Sequence, residues 1–280
     1  MQNAGMAALD LNWRYLAFDV PPKHLAPAIS GAMRLGFIGL NLTVPHKIAA
    51  LDLVDVVDDQ ARLWGAINTI RFEGRTPAGE WAPLSQIEEP EETRSHGFNT
   101  DAEAIARVIR QELGLDLRDA RVLLLGAGGA ARVAALRIAR EGPRALFLVN
   151  RTASKAADLA AELHRRYPAV TVQTGYPQGR IDLVINGTAL GLQAGDPLPW
   201  DPSAFKLETA ACVFDMVYRG EPTPFCRNAV DAGCRVADGI EMLLWQGAAA
   251  LELWTGKPAP VQTMRSALYA ALGRTLEDKK

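Results

Sequence analysis

Cysteine is scarce in this chain: three residues in 280, Cys212, Cys226 and Cys234, with no CxxC pair and one left over under any pairing scheme. A disulfide-stapled secreted scaffold is excluded by that count, and small buried thiols in a reducing cytoplasm are the expectation. Histidine is nearly as scarce. The four stand at 24, 46, 96 and 164, never at the spacing that puts two ligands on one helix face, so no metal site is expected. No apolar run approaches the roughly 20 residues of a membrane span, and residues 1–12 lack the cationic lead and apolar block of a secretory signal. An excess of one charge is missing too. Thirty basic residues against 32 acidic ones leave a formal charge of -2, which provides no field for nucleic acid or an anionic membrane. Neither partner is expected. What remains is an ordinary globular composition, 49% hydrophobic and 22% charged, on a chain long enough for two cores.

Two rhythms follow one another. Up to residue 101 the segments are short: a strand at 15–20, a helix at 23–35 with Leu25, Ile29 and Ala32 on one face, a strand at 37–43, a helix from about 48, and a strand at 67–72. Residues 74–96, rich in proline and glutamate, read as a long hairpin tip or mobile loop without a core. From Ala102 helix and strand alternate. Helices are expected at 102–113, after the turn at 126, and at 154–166, with strands at 121–125, 145–149, 170–173, 181–186, 212–215 and 235–237. Continuous apolar strands between amphipathic helices imply a parallel sheet covered on both faces. After Gly239 the pattern is helical almost to the end. The expected fold class is α/β: a Rossmann-type doubly wound parallel sheet over 102–238, and a smaller α/β domain over 1–101.

The first strand of that sheet runs into Gly126-Ala127-Gly128-Gly129-Ala130-Ala131, and a helix pattern follows. Set between a buried strand and a helix, this spacing is a dinucleotide signature. Gly126 allows the tight turn, Gly128 the approach of backbone to a pyrophosphate, and Ala131 close helix–sheet packing. The phosphates would then rest on amides of the helix N-terminus. The next strand ends in Val149-Asn150-Arg151-Thr152, with Lys155 one turn on. Sites for NAD usually carry a carboxylate there for the ribose 2′-hydroxyl. Here two cations stand in its place, which suits a 2′-phosphate and predicts NADP.

Two further clusters carry chemistry. Asn41-Leu42-Thr43-Val44-Pro45-His46-Lys47 is a strand leaving through a proline turn with a lysine at its exit. Gly65-Ala66-Ile67-Asn68-Thr69 and Asn99-Thr100-Asp101 gather amide, hydroxyl and carboxylate groups at strand ends, as hydrogen bonding to a polyol requires. Each alone also reads as a cap or a turn. In order along the chain, NLTVPHK, GAINT, NTD, GAGGAAR and NRT, followed by Gly239-Ile240-Glu241-Met242-Leu243 and Gln246-Gly247-Ala248, closely resemble the motifs of the shikimate dehydrogenase family over nearly the whole length.

That resemblance implies an NADPH-linked reduction of 3-dehydroshikimate to shikimate in aromatic amino-acid biosynthesis, carried out in the cytoplasm by a monomer or homodimer. The resemblance also implies that the smaller α/β domain over 1–101 is a substrate-binding domain completed by helices at 239–280. Lys47 and Asp101 match the family's catalytic pair. Thr43, Asn68, Tyr218 and Gln246 match its substrate-binding positions. Asn186 to Thr188, Met216 and Gly239 fall where the family lines the nicotinamide pocket. A relative acting on quinate or an aminated analogue would share these motifs, and a non-catalytic NADP-binding protein is the alternative of another class. Two departures stand out. The family opens on a Ser-x-Ser-Pro turn whose hydroxyls bind the substrate carboxylate; Met1-Gln2-Asn3-Ala4 lines up just after it, and Ser30 lies inside the next helix. A coding start upstream of Met1 is the expectation, with a truncated chain or divergence to another ligand as alternatives. Ala102 also replaces the glycine that commonly follows NTD.

Overall fold

Leu25 and Ile29 recur at helical spacing and Ile70 and Phe72 at strand spacing, and burying these four against one another organises the first part of the chain. In the computed structural model, which describes residues 1–275, α1 (Gln2–Ala8) and α2 (Leu25–Arg34) precede β1 (Gly39–Asn41). The short α3 (His46–Ala49) leads to β2 (Val56–Val57) and α4 (Asp59–Trp64). The sheet is completed by β3 (Thr69–Arg75), β4 (Trp81–Pro83) and β5 (Thr93–Phe98), in the order β1-β3-β5-β2 with β4 also on β3. Antiparallel β3 and β5 pair Thr69 with Phe98, which brings the residues just before β3 beside those just after β5. Local chemistry sets the boundaries of α4: the Asp58 carboxylate accepts from the amides of Gln60 and Ala61, and Gly65 ends the helix at φ 66. Each fully buried Ile, Leu or Phe in this core contributes roughly 1.5–3 kcal/mol.

Gly39 is required by a close approach. The Trp254 indole N–H donates to the Ile70 carbonyl at 2.9 Å, and a Cβ at position 39 would stand 2.2 Å from that nitrogen and 2.4 Å from that oxygen. Gly39→Ala should therefore displace the indole and destabilise the fold by about 2 kcal/mol, read as a lower midpoint in urea. An unchanged midpoint would show that the contact carries no weight.

Two expectations for this unit need correction. Residues 15–20 form no strand. Alternating apolar residues make a strand only beside a hydrogen-bonding neighbour, and among the described residues this segment joins no ladder. Leu16 and Phe18 are left 63% and 61% exposed, with the Phe18 ring against Phe37. Of the two alternatives for residues 74–96, the hairpin tip is the one found, and the correction is to the loop: part of the segment is strand. β3 continues to Arg75, β4 pairs back onto it, and β5 begins at Thr93. Trp81 is covered by the Arg94 guanidinium, 4.2 Å from the ring centroid, and Ser85 Oγ donates to the Trp254 carbonyl at 2.5 Å. A polar, acidic composition conceals cross-strand contacts of this kind.

The chain divides into two units, one of Met1–Asp101 with the residues from Leu244 onward, the other Ala102–Leu243. The second is built from α5 (Asp101–Gln111), β6 (Arg121–Leu125), α6 (Gly129–Arg140), β7 (Ala145–Val149), α7 (Ala153–Arg166), β8 (Thr171–Thr174), β9 (Ile181–Asn186), β10 (Ala210–Asp215), α8 (Pro224–Asp231) and β11 (Arg235–Ala237). All six strands are parallel, in the order β8-β7-β6-β9-β10-β11. The expected doubly wound Rossmann-type sheet is present, its direction of winding reversing between β6 and β9. In such sheets the crevice at the carboxyl ends of the strands flanking that reversal is the ligand position. Two helices close the chain, α9 (Gly239–Thr255) and α10 (Val261–Ala271), and residues 276–280 of the expected C-terminal helices lie outside the described residues. No helix among the described residues is long and apolar enough to cross a membrane.

Candidate active site

The strand-exit lysine is held by backbone on both sides. The Leu42 amide donates to the Asn68 carbonyl at 2.8 Å, the chain turns through a cis Val44–Pro45 bond, and the Ile67 amide donates to the Lys47 carbonyl at 2.8 Å. Lys47 Nζ reaches Asp101 Oδ2 at 2.7 Å, the two side chains being 27% and 11% exposed. The other carboxylate oxygen, Oδ1, accepts from Asn68 Nδ2 at 2.8 Å. Asn68 is itself fixed: its amide also donates to Thr100 Oγ1 at 2.9 Å, and its Oδ1 accepts the Thr100 backbone N–H at 2.8 Å. An ammonium has three N–H donors; Asp101 accepts one and holds the head in place. The result is a cation in fixed orientation, partly open to solvent, able to hydrogen-bond an oxygen and to give it a proton.

The structure thus unites Lys47, Asn68 and Asp101 in one network. Thr43 is exposed in the same turn, its carbonyl accepting from the His46 amide. Gln246 lies on α9 in this unit, half-buried, beside Gly247, whose carbonyl accepts from Gln2 Nε2 at 2.9 Å. Tyr218 belongs to the other unit and is 45% exposed. The sequence reading named the three central residues but not those that steady them. Asn41 Nδ2 donates to Thr69 Oγ1 at 3.0 Å, and the Tyr15 hydroxyl donates to Asn41 Oδ1 at 3.0 Å. Asn41 and Thr69 sit inside the quoted motifs, and that was the available signal.

In the second unit Gly126 adopts φ +111, and its amide donates to the Val149 carbonyl at 2.7 Å. A side chain there would be strained, and its Cβ would press on Thr188 and Gly187 at 3.0–3.2 Å. The Ala127 amide donates to Asn150 Oδ1 at 3.1 Å, tying the loop after β6 to the end of β7. Apart from adjoining residues and the helix's own backbone, nothing lies within 4 Å of where a Cβ at Gly128 or Gly129 would stand, and both residues are exposed, so the first amides of α6 are open to an incoming phosphate. Ala130 is exposed beside them. Arg151, Thr152 and Lys155 are exposed where β7 gives way to α7, Thr152 preceding the first turn of that helix. Thr188 follows β9, and Met216 follows β10. Gly239 opens α9, its amide donating to the Val217 carbonyl at 3.1 Å; a Cβ there would meet the Met216 carbonyl oxygen at 2.4 Å. The cradle and its flanking cations fit a phosphorylated dinucleotide.

A shikimate dehydrogenase (NADP(+)) of Moorella thermoacetica is 40% identical over 98% of this chain and 88% of its own length. The chain belongs to the shikimate dehydrogenase family. Residues 1–70 match the family model for the shikimate dehydrogenase substrate binding domain, 107–189 that for shikimate / quinate 5-dehydrogenase, and 239–269 that for the shikimate 5′-dehydrogenase C-terminal domain. The shikimate 5-dehydrogenase of Thermus thermophilus, solved with NADP(H) and shikimate, superposes with a TM-score of 0.78 at 32% identity, over 96% of this chain and 92% of that one. A 5-ketofructose reductase of Gluconobacter sp. superposes with a TM-score of 0.77 at 30% identity, over 96% and 92%. The shikimate dehydrogenase fold is therefore shared with an enzyme named for a different polyhydroxy ketone.

Proposed function

We propose that this protein interconverts 3-dehydroshikimate and shikimate with NADP(H), the carrying observation being the Lys47 ammonium held at 2.7 Å by an Asp101 carboxylate that Asn68 also anchors. Bound NADPH would supply the hydride for the ketone carbon. Gly126 to Ala130 and the first amides of α6 hold its pyrophosphate, Asn150, Arg151, Thr152 and Lys155 its 2′-phosphate end, and Thr188, Met216 and Gly239 its nicotinamide end. Lys47 hydrogen-bonds the substrate oxygen on which negative charge develops, then protonates it. Asp101 keeps the ammonium oriented, and Thr43, Asn68 and Gln246 of the same unit hold the hydroxyl-rich ring; Tyr218 is assigned to substrate only by its match to the family position. Three free, buried cysteines suit a reducing cytoplasm; we assign no more than a homodimer. The deciding assay is NADPH oxidation with 3-dehydroshikimate; folded protein that binds NADPH without turnover would remove this substrate. The likeness to the 5-ketofructose reductase favours a second reading, reduction of another polyhydroxy ketone, which the same assay separates by comparing 3-dehydroquinate, an aminated analogue of 3-dehydroshikimate and 5-ketofructose as hydride acceptors.

Cofactor choice gives a prediction of its own. A charge-assisted hydrogen bond contributes about 1.5–3 kcal/mol, so Arg151→Ala should weaken NADP+ binding by roughly tenfold or more while leaving NAD+ nearly unchanged. The ratio of kcat/KM for the two cofactors measures it. A ratio equal to that of the unmodified protein would clear Arg151 of any part in discrimination.

A further inference from the structure

Asp215, the last residue of β10, is fully buried, and among the described residues no cation pairs with it. Burial pushes its carboxyl above the usual carboxylate range, against the hydrogen bonds it accepts. Those bonds have a definite pattern. Oδ1 accepts from Asn186 Nδ2 at 2.9 Å and from the Val217 amide at 3.1 Å; Oδ2 accepts from Thr223 Oγ1 at 2.5 Å and from Cys226 Sγ at 3.7 Å. Asn186 is its register partner at the end of β9, and every hydrogen-bonding group of that amide is occupied. Its nitrogen donates to Asp215 and to the Leu190 carbonyl (3.1 Å), while its oxygen accepts the Thr188 amide (3.0 Å) and the Thr188 hydroxyl (2.7 Å). Thr188 Oγ1 in turn accepts the Leu190 amide at 3.1 Å. The loop that leaves β9 beside Gly126 is thus shaped by the orientation of one amide, and Asp215 fixes that orientation.

We propose that Asp215 is a positioning residue for cofactor binding. It acts through Asn186 to hold Thr188 in the crevice between β6 and β9, and this rests on the NADP reading above. A fold keeps an unpaired buried acid at a cost, and here the acid returns a fixed loop at the carboxyl end of the sheet. Thr223, which precedes α8 and accepts the Cys226 amide at 3.1 Å, steadies the acid from the other side.

The test compares the full chain with Asp215→Ala and Asp215→Asn, using amide hydrogen exchange over residues 186–191 without cofactor and the Kd for NADP+ by calorimetry. Asp215→Ala should exchange faster in that loop and bind NADP+ about tenfold more weakly, the size of one lost buried hydrogen bond, with kcat at saturating cofactor changed less than KM. Asp215→Asn keeps an oxygen for Asn186 and Val217 and turns its amide toward Thr223, so it should restore both readouts to within about threefold. An unmoved Kd in Asp215→Ala, a weaker Kd without faster exchange, or an Asn variant as poor as the Ala variant would each overturn the proposal. Should Asp215→Ala fail to fold by circular dichroism, Thr223→Val removes the hydroxyl from Oδ2 and carries the same measurements. There an unmoved loop and Kd would also overturn it. Folded unmodified protein that binds no NADP+ would instead defeat the cofactor reading itself.

Discussion

Replacing Lys47 by alanine should lower kcat with the preferred ketone by about 10²-fold or more, the range for loss of a positioned general acid. In this protein the ammonium is placed by three independent constraints: the Ile67 amide on its own carbonyl, Asp101 Oδ2 at its head, and Asn68 on the other carboxylate oxygen. A water molecule admitted by Lys47→Ala can protonate the alkoxide but carries no charge to stabilise it as it forms. KM should move less than kcat, because the oxygen is most negative in the transition state. Lys47→Arg separates the two roles. A guanidinium keeps the positive charge and cannot release a proton near neutral pH, so it should recover little of the lost rate. A Lys47→Ala rate within tenfold of the unmodified protein, with NADP+ affinity intact, would take this residue out of the chemistry.

How legible this machinery was depends on the range of the interactions. The strands at 121–125, 145–149 and 181–186 were readable to the residue, since a parallel strand covered on both faces is a largely apolar run. Lys47, Asn68 and Asp101 stood out in short polar runs at strand ends, but each run alone also read as a cap or a turn, and only the ordered motifs shared with the family implied one site. In the first unit the signal was weaker. β5 carries Arg94, Ser95 and His96, and what makes it a central strand is pairing with β3, more than 20 residues distant in the chain and invisible to local periodicity. The helices α1, α4 and α8 were not anticipated at all, though Asp58 and Thr223 are recognisable caps in hindsight. Asp215 reads in the sequence only as the last residue of the strand expected at 212–215, and the register of β10 on β9 is what shows what it holds.

Glu73 shows the same limit and leads to the largest stability effect expected here. Its side chain is 1% exposed and sits among three basic groups. Arg71 donates to Oε1, His96 Nδ1 lies 3.0 Å from that oxygen, and Arg94 Nε donates to Oε2 at 2.7 Å. Arg94 lies directly across the ladder from Glu73, and His96 across from Arg71. Burial alone would raise the carboxyl, but the hydrogen bonds from His96, Arg71 and Arg94 outweigh it and bring the pKa from 4.5 down to about 2. At 1.36 kcal/mol per tenfold in proton affinity this is about 3 kcal/mol. The sign follows from the direction: the stabilisation is complete above about pH 4.5 and is lost as pH falls through 2. Glu73→Gln removes the charge and leaves two guanidinium groups facing an amide, so unfolding free energy at pH 7 should drop by about 3–5 kcal/mol, the usual result of breaking a buried pair from one side. The variant's stability should also flatten across the acid range where the unmodified protein's declines. The network pins the far end of the β3–β5 pair, whose near end sets Asn68 against Thr100 and Asp101, so the folded fraction of Glu73→Gln should keep its kcat while the midpoint falls. A midpoint in urea within about 1 kcal/mol of the original, or an unchanged acid slope, would show the basic side chains re-pairing with solvent at no cost, an outcome at odds with a carboxylate this deeply buried.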